Sequence, residues 1–486
     1  MIHMFRTFGM SYITFPYYLL LAAAVPVYYI VPKNRRWVVL LAASILFYIS
    51  VISDPKAWLL LGLTVCISYA AGRILQTKKS RAVLAAGILL SAAPLLMIRL
   101  LDLFSGPILG TIRFRWIVPV GLSFYTLQIV SYLAEVYRGK TDPVRNAGQY
   151  ALFILFFPYI IQGPIHRHSE IFSQLVEGHG YKEENIVRGA RLILWGFFLK
   201  LMIADKAALY VDAVFASSDS YPGFYTAAAL ALYSIQLYAD FLSCTTLSQG
   251  AAFLFGIRLI DNFDHPFFSL SVKEFWRRWH MSLSGWLKDY IYIPLGGSRR
   301  GKGRKYLNII ITFIVSGLWH GGSLKFILWG LMHALYQIAG DLTMKVREAF
   351  LKLIGIRNGS LVYRALKRTG TFILVSLAWI PFRAGSLTQS YAILRGLFRY
   401  FNPWVILDPG YLEIGMDRSD WRVLILSLAV LYFVSRTQEK LDLNEAVSRQ
   451  SLVVRWGVFI LGIAVIYVFG TYGAGYAAQN FIYGGF

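Results

Sequence analysis

Apolar runs of span length alternate with short basic loops along most of the chain. Runs at 15–31, 37–51, 58–75 and 83–101 read as membrane helices, since about 20 apolar residues cross a hydrocarbon core of about 30 Å. The first, taken over 14–32, has no small-residue cleavage site after it, which predicts a retained span and no cleaved signal peptide. Pro94 is expected to kink the fourth. The loops KNRR (33–36) and TKKSR (77–81) are basic, whereas SDPK (53–56) carries no net charge. Basic loops stay cytoplasmic, so both assignments agree, and they predict an outside N-terminus. A fifth run, 117–137, carries Gln128 and Glu135 and ends at Arg138, Lys140 and Arg145, again a cytoplasmic signature. Residues 102–115 are then external.

The run 151–165 is short, interrupted by Pro158, and flanked by Arg145 on one side and Arg167, Arg188 and Arg191 on the other. Equal charge on both flanks predicts a re-entrant segment and no crossing. Further apolar helices are expected at 193–204, 225–241, 324–339, 372–381, 421–433 and 454–469. The count reaches about ten to thirteen membrane segments. Residues 341–368 are charged and expected in the cytoplasm, and 386–418 read as amphipathic and loop-like. With no short-period repeat and no low-complexity linker, one domain over 1–486 is expected, its core at about 225–340.

Two stretches inside that core break the apolar monotony. Treated as one helix, 272–288 places His280 on a seam. Lys273, Arg277, Ser284 and Lys288 lie on one side of it, with Glu274 and Arg278 further round. Phe275, Trp276, Trp279, Leu283, Trp286 and Leu287 lie on the other, and Met281 is an apolar intruder on the polar arc. Such a helix is expected at a membrane interface. The second stretch, 306–320, is apolar except that Asn308, Thr312, Ser316 and His320 recur every four residues. Ser, Thr and Asn on such a stripe serve helix–helix hydrogen bonding in bundles, but an ionisable residue inside a span is a functional candidate by default. If the span starts at the cytoplasmic face marked by Arg304 and Lys305, His320 lies about 21 Å up it, past the midplane.

Composition agrees with this class. The 486 residues are 57% hydrophobic and only 15% charged, where soluble domains are nearer a quarter charged. Mean hydropathy is +0.54. The many Trp, Tyr and Phe near span ends suit interfacial anchors. The net charge of +23 would suggest nucleic acid in a soluble protein. Here the cations sit in short loops between apolar runs, so nucleic acid is excluded and membrane lipid is the partner of the basic loops. Cys66 and Cys244 are too few for a disulfide framework or a thiolate metal site, and both read as small buried hydrophobes, with an acyl-carrying Cys244 as the alternative. His166 and His168 lack the strand that their spacing would need to hold a metal, and are expected to face solvent or headgroups; no metal site is predicted. His333 reads as a packed, hydrogen-bonded core residue that would face away from His320 were one helix continuous. Asp240 needs a cationic partner at membrane depth. The run Arg299, Arg300, Lys302, Arg304 and Lys305 reads as a headgroup anchor or as a dock for the phosphates of a thioester donor.

The segment FWRRWHMSLSGWLKDYIYIPLGG (275–297), followed by SGLWHG (316–321), resembles the membrane-bound O-acyltransferase family, and within it the alginate O-acetyltransferase type of bacterial member. QGPI (162–165), YADF (238–241), DNFDHPFFSLS (261–271) and the C-terminal NFIYGGF (480–486) extend the resemblance, in order, over most of the chain. It implies an all-α polytopic membrane bundle with interfacial and re-entrant helices around a central tunnel. It also implies acyl transfer from a cytoplasmic thioester to an acceptor. His320 matches the family's essential histidine, and His280 its second active-site position, which is His or Asn. Asp240, Asn308, Ser316, Trp319, Trp276, Arg277 and Asp289 are then expected to bind substrate or support the site. Arg299, Arg300 and Arg304 are expected to dock the donor. The chain departs from the pattern after YADF, where Thr246 stands in place of a second acidic residue. The donor tunnel's detail and the acceptor's identity stay open there.

Acyl transfer to a hydroxyl needs a base for its proton and stabilisation of the oxyanion. No G-x-S-x-G elbow or H-E-x-x-H motif is present. Direct transfer is expected, with His320 as general base and His280 positioning or polarising the thioester; a covalent acyl-histidine is the other route. The expected activity is O-acetylation of an external polysaccharide. The donor is acetyl-coenzyme A, a co-substrate and not a bound cofactor. Delivery is direct or through a secreted or membrane-anchored partner, and the location is a bacterial inner membrane. The alternatives are D-alanyl transfer to teichoic acid from a carrier protein, and a transporter or polysaccharide-export component.

Overall fold

The computed structural model describes residues 10–52, 54–105, 119–400, 402–473 and 481–482, and among them regular structure is helical throughout. The expected external loop at 102–115 and the C-terminal NFIYGGF motif lie for the most part outside the described residues. Five described helices are long and apolar enough to cross a membrane: Lys33–Val51, Pro55–Thr77, Arg81–Phe104, Phe224–Phe253 and Leu452–Phe469. Phe15–Ile30 is a shorter apolar helix. The chain divides into two compact units, one of residues 1–197, 244–261 and 483–486, the other of 198–243 and 262–482.

In the first unit Leu122–Arg138 is the buried centre. Of its residues only Val130, Tyr137 and Arg138 escape burial, and Gly121 (φ 79°) and Gly139 (φ 70°) bracket it in the left-handed region that side chains avoid. By contrast Pro55–Thr77 and Arg81–Ser105 turn Leu59, Leu63, Leu89 and Leu90 outward, as lipid-facing helices do. Cys66 is exposed on the first of these and does not pack inside as its apolar surroundings suggested; Cys244 is buried. Hydropathy alone cannot tell a lipid-facing position from a packed one.

Ala147–Leu155 is a nine-residue helix, begun by Asn146 Oδ1, which accepts from Gly148 N (2.8 Å) and Gln149 N (3.1 Å). At 1.5 Å per residue it reaches only about 14 Å. Residues 156–160 continue without helix yet fully buried, a geometry tolerated at depth only where protein satisfies the backbone. Ser44 Oγ accepts from Phe157 N (3.1 Å), and Ser248 Oγ donates to the Pro158 carbonyl. The chain beyond corrects one expectation. His166 and His168 are buried, not solvated. His168 stacks on Phe172 (ring centroids 4.3 Å) and pairs through Nδ1 with Thr141 Oγ1 (3.0 Å). Aromatic neighbours from Tyr132 and Phe153 enclose it, a cluster that local spacing could not reveal.

The second unit holds the helical hairpin of Gly301–His320 and Leu324–Leu342. A Cβ on Gly317 would lie 2.9 Å from the carbonyl carbon of Phe326, and one on Gly330 2.9 Å from that of Phe313. Each glycine thus admits the backbone of the opposite helix, the small-residue packing expected where lipid removes the hydrophobic drive for association. Residues 386–418 are not simply loop. They contain the helix Leu387–Arg399, capped by Ser386 Oγ accepting from Gln389 N (3.0 Å), and two 3₁₀ turns.

Candidate active site

The helix expected over 272–288 breaks in the middle. Val272–Arg278 ends at Trp279 in extended conformation, His280 adopts φ 44°, ψ 54°, and a new helix runs over Met281–Leu287 into the π-turn Lys288–Tyr292. His280 and His265 are the two non-glycine residues with positive φ among those described. Histidine tolerates this region better than most residues but still at a cost. Asn262, eighteen positions upstream, offsets it. Its backbone carbonyl accepts from Met281 N (2.9 Å). Its Oδ1 accepts from Ser282 N (3.2 Å) and Ser282 Oγ (2.8 Å), and it meets His280 Nδ1 at 3.2 Å. The backbone N–H of Ser282 can only donate, so the Asn262 atom is the carbonyl oxygen and His280 Nδ1 carries the proton. The lone pair of neutral His280 is therefore on Nε2. The seam arrangement derived from an unbroken wheel does not survive the break. Periodicity assumes one axis, and the residue that stabilises the kink is remote in sequence.

His320 is the last residue of its helix and is buried at 2% exposure. Trp319 (ring centroids 4.8 Å), Trp329 (5.0 Å) and Phe382 (5.4 Å) surround it edge-on. His280, 1% exposed, meets Phe241 at 4.7 Å and Trp319 at 5.9 Å. The ring of Trp319 thus touches both histidines. Two other members of the polar stripe, Asn308 and Thr312, make hydrogen bonds nearby, and Ser316 lines a cavity along this helix. Asn308 Nδ2 donates to the carbonyls of Leu295 (3.3 Å) and Gly297 (2.9 Å), fastening the preceding loop, Thr312 Oγ1 donates to Asn308 O (2.6 Å), and Ser316 is buried. His333 is a core residue, as expected. Trp276 Nε1 donates to its Nδ1 (3.2 Å), which places Trp276 against His333 and not beside His280. The chain reverses after Gly321, so His320 and His333 end on the same indole, Trp329 (5.0 and 5.2 Å), and do not face apart.

Asp240 is buried and paired. Lys200 Nζ lies 2.8 Å from Asp240 Oδ1 and 2.8 Å from Asp205 Oδ1, and Ile482 N donates to Asp240 Oδ2 (2.8 Å). Lys200 belongs to the π-helical turn Phe198–Ala204. The ion cluster holds the helix on which the next residue, Phe241, packs against His280.

A cavity of about 560 Å³ follows the Gly301–His320 helix along Lys305, Ile309, Thr312 and Ser316. That is a length of about 17 Å, stopping one turn short of His320. Lys273, Arg277, Lys288 and Lys305 supply cations to it, Asp341 pairs with Lys305, and Trp276 forms part of its wall. Arg299 and Arg300 are exposed and are not among its lining residues; Arg304, also exposed, donates through Nε to Leu295 O (3.2 Å). Asp289 is half-buried in the π-turn. No cluster of three or more His, Cys, Asp or Glu side chains suited to a metal occurs among the described residues.

Asn262 escaped the sequence-based selection. It lies within DNFDHPFFSLS, but nothing in that run marks it as the partner of a histidine eighteen residues on. Replacing it tests the kink. Asn262→Ala removes the acceptor of three hydrogen bonds, so His280 is expected to lose its tautomer and its aim. Turnover should fall by about 10²-fold, the loss typical of a reacting group displaced by about 1 Å. Asn262→Asp, which keeps Oδ1, should recover a good part of it. Equal loss in both variants, measured as turnover of folded protein, would count against an orienting role.

Residues 144–358 match the model of the membrane-bound O-acyltransferase family. The chain is 32% identical over 436 residues to a probable alginate O-acetylase AlgI of Pseudomonas fluorescens, covering 87% of this chain and 83% of that protein. It is 35% identical over 292 residues to its counterpart in Pseudomonas syringae pv. tomato, where the match covers 60% of this chain and 54% of that protein. A peptidoglycan O-acetyltransferase of Helicobacter pylori is 32% identical over 311 residues, 58% of this chain and 57% of that one. The match thus spans little more than half the length of two of these three relatives. Both histidines, the tryptophan between them and the cationic cavity fall within the stretch that the family model covers, and the chain belongs to the membrane-bound O-acyltransferase family.

Proposed function

We propose that this protein transfers an acetyl group from cytoplasmic acetyl-coenzyme A to a hydroxyl of a polysaccharide outside the membrane, directly or through a secreted or membrane-anchored partner. The observation that carries the reading is the cavity itself. It is cationic along Lys273, Arg277, Lys288 and Lys305 and ends, at Ser316, one helical turn from His320. Phosphates suit the cations, and the extended thioester arm suits the run of lining residues Ile309, Thr312 and Ser316 that leads toward His320. His320 takes the proton of the acceptor hydroxyl as its oxygen attacks the thioester carbonyl. The carbon–sulfur bond breaks, and the departing thiolate receives that proton and leaves as the thiol. His280, with its proton on Nδ1, offers an acceptor at Nε2. It therefore suits holding an N–H of the donor better than polarising the carbonyl oxygen.

Purified protein given labelled acetyl-coenzyme A and a polysaccharide acceptor tests this. Lys273→Gln, Arg277→Gln and Lys288→Gln together are expected to raise the donor KM about tenfold or more while leaving kcat nearly unchanged, because they bind ground and transition state alike. Arg299→Gln, Arg300→Gln and Arg304→Gln should shift it less. No label transfer by the folded wild type, or a donor KM indifferent to the first set, would overturn the proposal.

A further inference from the structure

A cavity of about 240 Å³, which acyl transfer does not use, lies wholly within the second unit. Four elements enclose it: the helix Phe224–Phe253, the 3₁₀ turn Pro266–Phe268 with His265 before it, and the helices Leu361–Arg383 and Arg418–Gln438. Ile235, Tyr238, Phe267, Phe372, Leu428 and Leu431 make its walls apolar. An apolar cavity of about 150 Å³ admits a benzene ring, so this one has room for a stretch of alkyl chain.

Polarity changes along the cavity in one direction. The helix Arg418–Gln438 runs from Leu428 past Leu431 to Ser435, a distance of about 10 Å, and ends three residues later. On the helix Leu361–Arg383, Arg368 lies one turn before Phe372 and on the same face. Phe268 joins the two: its ring meets Tyr432 (5.9 Å) and lies beneath the Arg368 guanidinium (5.3 Å). The polar groups therefore gather at one end, near the start of one helix and the end of the other, and the apolar walls run inward from them.

The polar end has unspent hydrogen-bonding groups. Arg368 donates through Nε to Phe268 O (3.2 Å), and its two Nη nitrogens have no partner among the described residues. His265, the second residue held at positive φ (46°), lines the cavity. Backbone strain of this kind clusters at ligand sites. Its Nδ1 donates to Asp264 Oδ1 (3.0 Å), which leaves Nε2 without a partner among the described residues. Asp264 also faces Arg278 (3.7 Å), so that carboxylate is engaged. The cavity opens on the outer surface at Tyr432, which is 52% exposed, and Ile373, Leu374, Ile425 and Phe433 on the flanking helices are exposed as well. In a membrane such a surface meets hydrocarbon.

We infer that this cavity holds one diacyl phospholipid, with an acyl chain between Phe372 and Leu428 and its phosphate diester on Arg368. A purely apolar occupant would leave the guanidinium and His265 Nε2 unused. A soluble anion would leave the apolar walls bare. The lipid also backs the wall behind the kink. Tyr238 and Phe267 meet the Trp279 ring at 6.0 and 6.3 Å, and Trp279 is where the chain leaves its helix just before His280. A filled cavity braces these rings, because an empty one removes their contacts on that side.

Native mass spectrometry of the full chain in detergent tests this, with titration of dioleoyl phosphatidylglycerol or of dioleoylglycerol, which has the same chains and no phosphate. The wild type is expected to retain one phosphatidylglycerol about tenfold or more tightly than dioleoylglycerol. Arg368→Gln should weaken phosphatidylglycerol binding about tenfold, the scale of lost charge-assisted hydrogen bonds, and leave dioleoylglycerol unchanged. Leu428→Trp puts an indole into the cavity and should abolish retention of the single lipid. Ile425→Trp, on the same helix but outside the lining, should not. Wild-type retention by Leu428→Trp, or equal loss in both tryptophan variants, overturns the inference, since the lipid then belongs to the general annulus. So does wild-type affinity in Arg368→Gln, or equal affinity for the two lipids, since the phosphate then has no seat there. None of these readouts depends on acyl transfer, so failure here is distinct from failure of the catalytic reading.

Discussion

Substituting His320→Ala is expected to abolish acyl transfer while leaving the protein folded. The imidazole is enclosed by Trp319, Trp329 and Phe382, so its loss leaves a small aromatic-walled void and removes one buried polar side chain. That costs about 1–3 kcal/mol of stability. Loss of a general base costs about 10²–10⁴ in rate. The two effects separate cleanly, because thermal unfolding reports the first and single-turnover transfer of labelled acetyl reports the second. His280→Asn is expected to be milder than His280→Ala, since an amide at that position keeps a hydrogen-bonding group. The left-handed backbone conformation at His280 adds a reason: asparagine is among the residues that tolerate it, whereas alanine adds strain to the lost hydrogen bond. Full transfer by a well-folded His320→Ala protein would falsify the assignment of the base.

Gly330→Ala is expected to damage both folding and catalysis although it lies two turns from any histidine-bearing helix end. The added methyl meets the Phe313 carbonyl of the partner helix, and backbone cannot swing aside as a side chain does. The hairpin must open. Overpacking of this kind costs about 1–3 kcal/mol, and displacing His320 by about 1 Å costs about 10²-fold in rate. Gly62, which has nothing within 4 Å of an added Cβ, is the control: Gly62→Ala should leave melting temperature and turnover unchanged. A Gly330→Ala protein with wild-type turnover and melting temperature would show that the two helices have slack where the structure shows backbone against backbone.

What the sequence determined by itself rests on signals with a short physical range. Apolar runs of span length, basic loops and the Asn308–Ser316–His320 stripe are readable because helix geometry repeats every few residues. Asp240 announced its need for a cation because a buried carboxylate is too costly alone, and Lys200 supplies it. The tertiary structure decided everything that depends on a change of axis or a remote partner. The break at His280 is held by Asn262, and the burial of His168 by Tyr132 and Phe153. The meeting of His320 and His333 on Trp329 follows from the reversal after Gly321. The cations of the cavity are Lys273, Arg277, Lys288 and Lys305, and the densest basic run, at Arg299 and Arg300, stays outside its lining. Charge density along a chain measures how many cations a segment carries. Which of them face a common space is set by packing between helices, and a pattern read along a single axis carries no information about that.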